Sequence, residues 1–130
     1  MLCNCFGGGT FMSKLMHTPY RIGNIVISNR IVKSAMFEYC ANQGRITDQH
    51  RQIYEDAARG GCGLIITGME AISSTAGNGP GMIHTEYDGY LEDMRSIVSK
   101  VHRYSSRIFV QLQHACLLYT SDAADDTPCV

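Results

Sequence analysis

No block of like charge runs through this sequence: 11 Lys and Arg face 12 Asp and Glu, for a net charge of −1. Such a surface has no means of neutralising a row of phosphates or of settling on an anionic bilayer, so nucleic acid and membrane are excluded as expected partners. No apolar run approaches the roughly 20 residues that span a hydrocarbon core. The N-terminus has neither the basic start nor the apolar stretch of a secretory signal, which makes a cytoplasmic protein the expectation. Regular cysteine spacing is missing too. Cys3, Cys5, Cys40, Cys62, Cys116 and Cys129 follow no repeat that would announce a disulfide framework, and reduced thiols are expected. Cys3 and Cys5 fall short of a full tetrahedral zinc set and lack the context of a lipidation signal.

With 45% apolar residues the chain is able to bury a core. Residues 1–16 combine Cys-Asn-Cys with Gly7-Gly8-Gly9 and no periodicity; they read as a disordered leader, in which Met12 or Met16 would serve as a start. Tyr20-Arg21-Ile22 and Ile25-Val26-Ile27 flank Gly23-Asn24, a connection favoured in tight hairpins because glycine supplies the positive φ. Arg30 to Met36 is short and β-branched at its start, and predicts a buried strand. Thr47 is placed to cap a helix running to Arg59, with Ile53, Tyr54, Ala57 and Ala58 on one face and Gly60-Gly61 as its stop. Gly63 to Thr67 is a continuous apolar strand of the kind covered on both faces. A second helix from Asp88 puts Leu91, Met94, Val98 and Val101 at helical spacing, and Arg107 to Leu112 makes a further strand.

This alternation implies parallel strands joined by right-handed crossovers, in a Rossmann-like open sheet or a (β/α)8 barrel. The barrel is favoured. No Gly-x-Gly-x-x-Gly lies between the first of these strands and its helix, where a dinucleotide fold brings backbone against pyrophosphate. Gly77-Asn78-Gly79-Pro80-Gly81 follows the second strand instead, on the side where barrel enzymes keep their active sites, and suits a flexible loop better than a phosphate cradle. The predicted class is α/β: a partial TIM barrel, with an N-terminal hairpin and about three strand–helix units.

In a barrel, the polar residues at the C-terminal ends of the strands converge on one mouth: Ser34 to Tyr39, Thr67 to Glu70 and Gln111 to His114. Gln111 offers an amide donor and acceptor suited to a planar heterocycle, and His114 a ring donor. Each has a plainer alternative: a glutamine satisfied by neighbouring backbone, and a packing or helix-start histidine.

Thr18-Pro19-Tyr20-Arg21-Ile22-Gly23-Asn24, Asn29-Arg30-Ile31-Val32, Gly60-Gly61-Cys62-Gly63-Leu64-Ile65-Ile66-Thr67 and Gln111-Leu112-Gln113-His114-Ala115 stand in order along the chain. Together they resemble consecutive signatures of the old yellow enzyme family, the NADH:flavin oxidoreductases that include ene-reductases and 2,4-dienoyl-CoA reductases. Each string alone is weak; all of them in register are specific. The resemblance implies an FMN-containing barrel in which NADH or NADPH reduces the flavin and the flavin passes hydride to a small electron-poor acceptor such as an alkene. By position it implies that Ser34, Ala35, Met36 and Phe37 line the flavin ring and that Met69 meets it through backbone. It further implies that Gln111 pairs with the pyrimidine edge, that Tyr39 faces substrate and that His114 gives structural support. No metal is implied, and the oligomeric state is left open.

Some positions depart from the family. Ala35 stands where proline is frequent, and Phe37 where threonine or cysteine is frequent; phenylalanine donates no hydrogen bond. With Lys33 and Glu38 alongside, they suggest a less typical branch in which simple enone reduction is not to be assumed. Residues 17–115 thus read as the N-terminal part of the oxidoreductase barrel, and 116–130 as a non-homologous tail left by truncation. The family's phosphate site, its substrate-binding histidine or asparagine pair and its proton donor fall outside the resemblance. So few strands leave an open edge and a bare inner face in water, so the fragment alone is expected to be inactive and to aggregate or stay molten. The alternative is a non-enzymatic interaction module derived from the barrel, which would fold cooperatively at this length.

Overall fold

A computed structural model describes residues 14–77 and 79–114. The expectations for the leader, for Asn78 and for the tail, with Cys3, Cys5, Cys116 and Cys129, lie outside the described residues. The chain opens with the hairpin: β1 (Tyr20–Ile22) and β2 (Ile25–Ile27) are antiparallel, and Ile22 faces Ile25, so that Gly23-Asn24 makes the turn. Gly23 takes φ 55, the conformation that a side chain would disfavour.

The rest is strand, helix, strand, helix, strand. β4 (Leu64–Ala71) lies between β3 (Val32–Lys33) and β6 (Arg107–Gln113), parallel to both, and the helices α1 (Asp48–Arg59) and α2 (Tyr90–His102) make the crossovers. The sheet does not close into a barrel. Tyr54 and Ala58 of α1, Met94, Ile97 and Val101 of α2, and Ile65 of β4 form one buried cluster with Ile46 and Ile83. Ion pairs from Arg51 to Asp93 and from Lys100 to Glu55 tie the two helices together at the rim of that cluster. Thr47 caps α1 as predicted: its N–H donates to Nδ1 of the buried His50 at 3.2 Å, and its hydroxyl donates to the Cys40 carbonyl at 3.0 Å. Burial pushes the His50 pKa down, which favours the neutral ring that accepts this bond.

Several expectations need correction. The strand predicted over Arg30 to Met36 shrinks to Val32–Lys33, and neither residue is buried. Among the described residues β3 pairs with β4 alone, and beyond Lys33 the chain leaves the ladder. β4 runs past Thr67 to Ala71, and a short β5 (Ile83–His84), unmarked by any periodicity, pairs with its end through Glu70 and Ala71. The helix predicted from Asp88 begins at Tyr90, after Gly89 at φ 96. Its buried face runs through Tyr90, Met94, Ile97 and Val101, whereas Leu91 is 67% exposed. The reason is Tyr90, whose ring meets Tyr87 edge-on at 5.8 Å and whose hydroxyl reaches β4, turning Leu91 outward. At the other helix stop Gly60 is ordinary αR, and Gly61 carries the positive φ of 92. Cys40 and Cys62 are free thiols. Among the described residues no helix is long and apolar enough to cross a membrane, and no cluster of His, Cys, Asp or Glu could hold a metal ion.

Glu70 is the anomaly of the interior. It is fully buried; the Tyr90 hydroxyl donates to Oε2 at 2.5 Å, while Oε1 has no hydrogen-bond partner among the described residues. Burial pushes its carboxyl pKa up, against the pull of the Tyr90 hydrogen bond.

The packing predicts that Ile97→Ala will cost about 2–4 kcal/mol in urea unfolding followed by circular dichroism. Leu91→Ala should stay within about 0.5 kcal/mol, and the reverse ranking would put the buried face where the sequence pattern had it. Glu70 yields a pH dependence. A carboxyl whose folded pKa is raised contributes full stability below the unfolded value and loses it as pH rises through the folded one. Glu70→Gln keeps an acceptor for Tyr90 and cannot ionise, so its Tm should exceed that of wild type at about pH 8, with the gap closing towards about pH 4. Parallel Tm curves would show that Glu70 titrates as an exposed carboxyl does.

Candidate active site

Because the strands are parallel, their C-terminal ends lie on one side, and a fault in the ladder shapes what gathers there. β4 and β6 are paired from Leu64 opposite Arg107 to Ile66 opposite Phe109, then resume at Met69 opposite Gln111. Thr67 and Gly68 thus face Val110 alone, which is a bulge. A bulge strands amides, and buried amides need partners. The Gln111 N–H donates to Thr67 Oγ1 at 3.1 Å, and the Gly68 N–H donates to the Tyr54 hydroxyl at 3.1 Å. Thr67 Oγ1 in turn donates to the Gly68 carbonyl at 3.0 Å. Burial, and then the Glu38 charge, drive the Tyr54 phenol pKa far upward, so its hydroxyl stays protonated as it accepts the amide.

Two glycines let neighbouring chain lie directly on β4. A Cβ at Gly63 would collide with the Asn29 carbonyl oxygen and sit 2.9 Å from the Asn29 nitrogen. Asn29 uses that proximity. Its Oδ1 accepts from Ile31 N at 2.9 Å and Gly63 N at 3.1 Å, while its Nδ2 donates to the Gly61 carbonyl at 2.8 Å. At Gly68 a Cβ would collide with Glu38 Oε2 and lie 2.6 Å from the Met36 carbonyl oxygen. Residues 36–38 therefore cross β4 at its bulge.

Most of the residues singled out in the sequence meet there. Phe37 and Met69 pack on the cluster of Ala71, Ala76 and Met82. Tyr39 lies against Phe37 with ring centroids 3.9 Å apart, and Met69 is the register partner of Gln111. Gln111 is exposed, and among the described residues its side-chain amide has no hydrogen-bond partner. Met36 and Tyr39 are open to solvent at 66% and 71%. Tyr39 holds φ 55, a conformation that costs a residue with a β-carbon about 1–3 kcal/mol. Gly81 secures it, since a Cβ there would lie 2.9 Å from the Tyr39 carbonyl. Ser34 is exposed and Ala35 half-buried, and neither shares a cluster with Met69 or Gln111. His114 closes the described chain just beyond β6.

Sequence reasoning gave no role of their own to Gly68, the Tyr54 hydroxyl or Gln113, whose buried Oε1 has no hydrogen-bond partner among the described residues. Lys33 and Glu38, opposite charges astride a stretch of uncharged residues, were the one legible signal. A cavity of about 310 Å³ between Ala41, Gly44, Gly81, Met82 and His84 adjoins the Tyr39 backbone. A larger one, about 470 Å³, lies at the far end of the strands between the hairpin and Phe109.

The model of the NADH:flavin oxidoreductase / NADH oxidase family matches residues 15–129, a span running past Ala115, where the recognisable strings stop. An NADH oxidase of Thermoanaerobacter brockii is 36% identical over 97 residues, covering 73% of this chain and 15% of that protein. A metal reductase of Desulforamulus reducens is 32% identical over 101 residues, again 15% of its length. This chain thus spans under a fifth of these curated relatives. Among solved structures, the old yellow enzyme homologue from Zymomonas mobilis aligns with a TM-score of 0.68 and 26% identity, over 76% of this chain and 28% of that one. Parallel β3, β4 and β6 with their crossover helices are a part of that barrel, and the chain belongs to the NADH:flavin oxidoreductase / NADH oxidase family.

Proposed function

We propose that this chain builds one wall of the flavin site of an FMN-dependent NAD(P)H oxidoreductase acting on a small electron-poor acceptor such as an activated alkene, and that it is inactive by itself. The observation that carries the reading lies at the strand ends: Phe37 and Met69 pack on one apolar cluster, and Gln111, the register partner of Met69, presents an exposed amide beside them. A planar heterocycle with polar edges fits such a surface, because the rings cover the apolar side chains while Gln111 supplies one donor and one acceptor. When bound, FMN supplies the hydride chemistry. Ser34, Ala35, Met36 and Phe37 would line the ring, Met69 would meet it through backbone, and Gln111 would orient its pyrimidine edge. Tyr39, exposed and held in a strained backbone, would face the acceptor. Lys33, the cation of this segment, is committed to Glu38 and is not free for a phosphate, so FMN should bind the lone chain weakly.

A chimera tests this: residues 17–114 replace the matching segment of the Thermoanaerobacter brockii NADH oxidase, with the lone chain as control. The chimera should hold FMN, and Gln111→Leu should weaken it by about 10–100-fold, the size expected for unpaired buried polar atoms. An unchanged dissociation constant and flavin spectrum would return Gln111 to a structural role. Phe37 offers no hydrogen bond to the negative charge that reduction places beside it. Phe37→Thr in the chimera should therefore raise the flavin potential by about 15–35 mV, half the value of a charge-assisted bond converted for a two-electron couple. Spectroscopic titration against a reference dye reads this, and a static or falling potential would move Phe37 away from the ring.

A further inference from the structure

Glu38 belongs to neither apolar cluster, yet its side chain is only 4% exposed. One oxygen accepts from Lys33 Nζ at 3.2 Å, and the other lies against the bare Cα of Gly68. Lys33 Nζ sits 5.3 Å from the centroid of the Tyr54 ring, and the hydroxyl of that ring holds the Gly68 N–H. The carboxylate is thus gripped by β3, the bulge of β4 and α1 together. Lys33 ends β3, and the residues between it and Glu38 are the ones proposed to line the flavin; none of their side chains makes a hydrogen bond among the described residues. Lying so near the centre, the Glu38 charge also bears on the titration of Cys40, His50, Tyr54 and Glu70.

We propose that Glu38 is the positioning residue of this wall: its ion pair with Lys33 and its seat on Gly68 clamp residues 34–39 across the bulge and so set where Phe37 and Tyr39 stand. The flavin reading enters only in what the clamped segment is for. A clamp of this kind is visible without flavin, through amide hydrogen exchange on the full chain. In Glu38→Gln the shape persists but the charge is gone, and the Ala41 amide, which donates to the Gly81 carbonyl at the end of the segment, should exchange about tenfold faster or more, as losing a charge-assisted hydrogen bond implies, while α1 and α2 keep their protection. Lys33→Gln removes the same pair from its more exposed partner and should reproduce the local effect even if Glu38→Gln folds poorly. Unchanged exchange at Ala41 in both variants would overturn the proposal. So would a uniform loss of protection in both, which would make the pair a general core contact. In the FMN-bearing chimera, Glu38→Gln should weaken FMN by about tenfold, though the residue lies outside the apolar surface itself. A loosened segment with unchanged FMN affinity would uphold the clamp and count against the flavin reading alone.

Discussion

Every parallel pairing in the described structure is made by β4, and β4 is approachable only because it lacks side chains at the right places. Gly63 admits Asn29, and Gly68 admits Met36 and Glu38. A β-carbon at Gly63 would strike the Asn29 backbone, and one at Gly68 would strike the Glu38 carboxylate and the Met36 carbonyl, so β3 or the segment after it would have to move. The fold's most constrained atoms are therefore the hydrogens of two glycines.

The strings that betray the family acquire a mechanical meaning here. Asn29 and the Gly61–Gly63 stretch are remote in sequence and bonded in space: one amide side chain satisfies two N–H groups and a carbonyl where helix α1 hands over to β4. The bulge at Thr67-Gly68 solves the same problem further along the strand. It leaves two amides without ladder partners, and a threonine hydroxyl and a tyrosine hydroxyl replace them. Bulges re-aim side chains, and this one brings Met69 level with Gln111.

The interior around that bulge is more polar than its surroundings require for stability. Glu38, Glu70, Thr67 and His50 are all shielded, and one Glu70 oxygen has no hydrogen-bond partner among the described residues. Buried polar groups cost folding energy unless satisfied, and where they persist they specify geometry. The opposite condition holds at the sheet margins. Val32, Val110 and Leu112 are exposed, and among the described residues β3 and β6 each pair with β4 alone. In the proteins this chain resembles, the matched region is a fraction of a longer barrel, and these are the margins along which a barrel continues.

The alternation of elements was legible from local pattern, because a continuous apolar strand and an amphipathic helix announce themselves within a few residues. So were the Gly23 turn and the Thr47 cap, which depend on one residue's conformational reach or one side chain's hydrogen bond. Phe37 and Met69 came from resemblance, Gln111 from its place at a strand end as well, and only the register of β4 against β6 set Met69 beside Gln111. What the sequence could not disclose depends on atoms far apart along the chain. The length of β3 depends on which edges find partners. The outward turn of Leu91 follows from a tyrosine hydroxyl reaching Glu70. The burial of Glu38 needs a missing side chain 30 positions on, at Gly68, whose meaning appears only when the two segments are brought into contact. Sequence by itself determined the alternation of the main strands and helices and the family, since both are written in local spacing. Tertiary structure decided the register, the bulge and the clamp, since each is a matter of which distant groups compete for the same few ångströms.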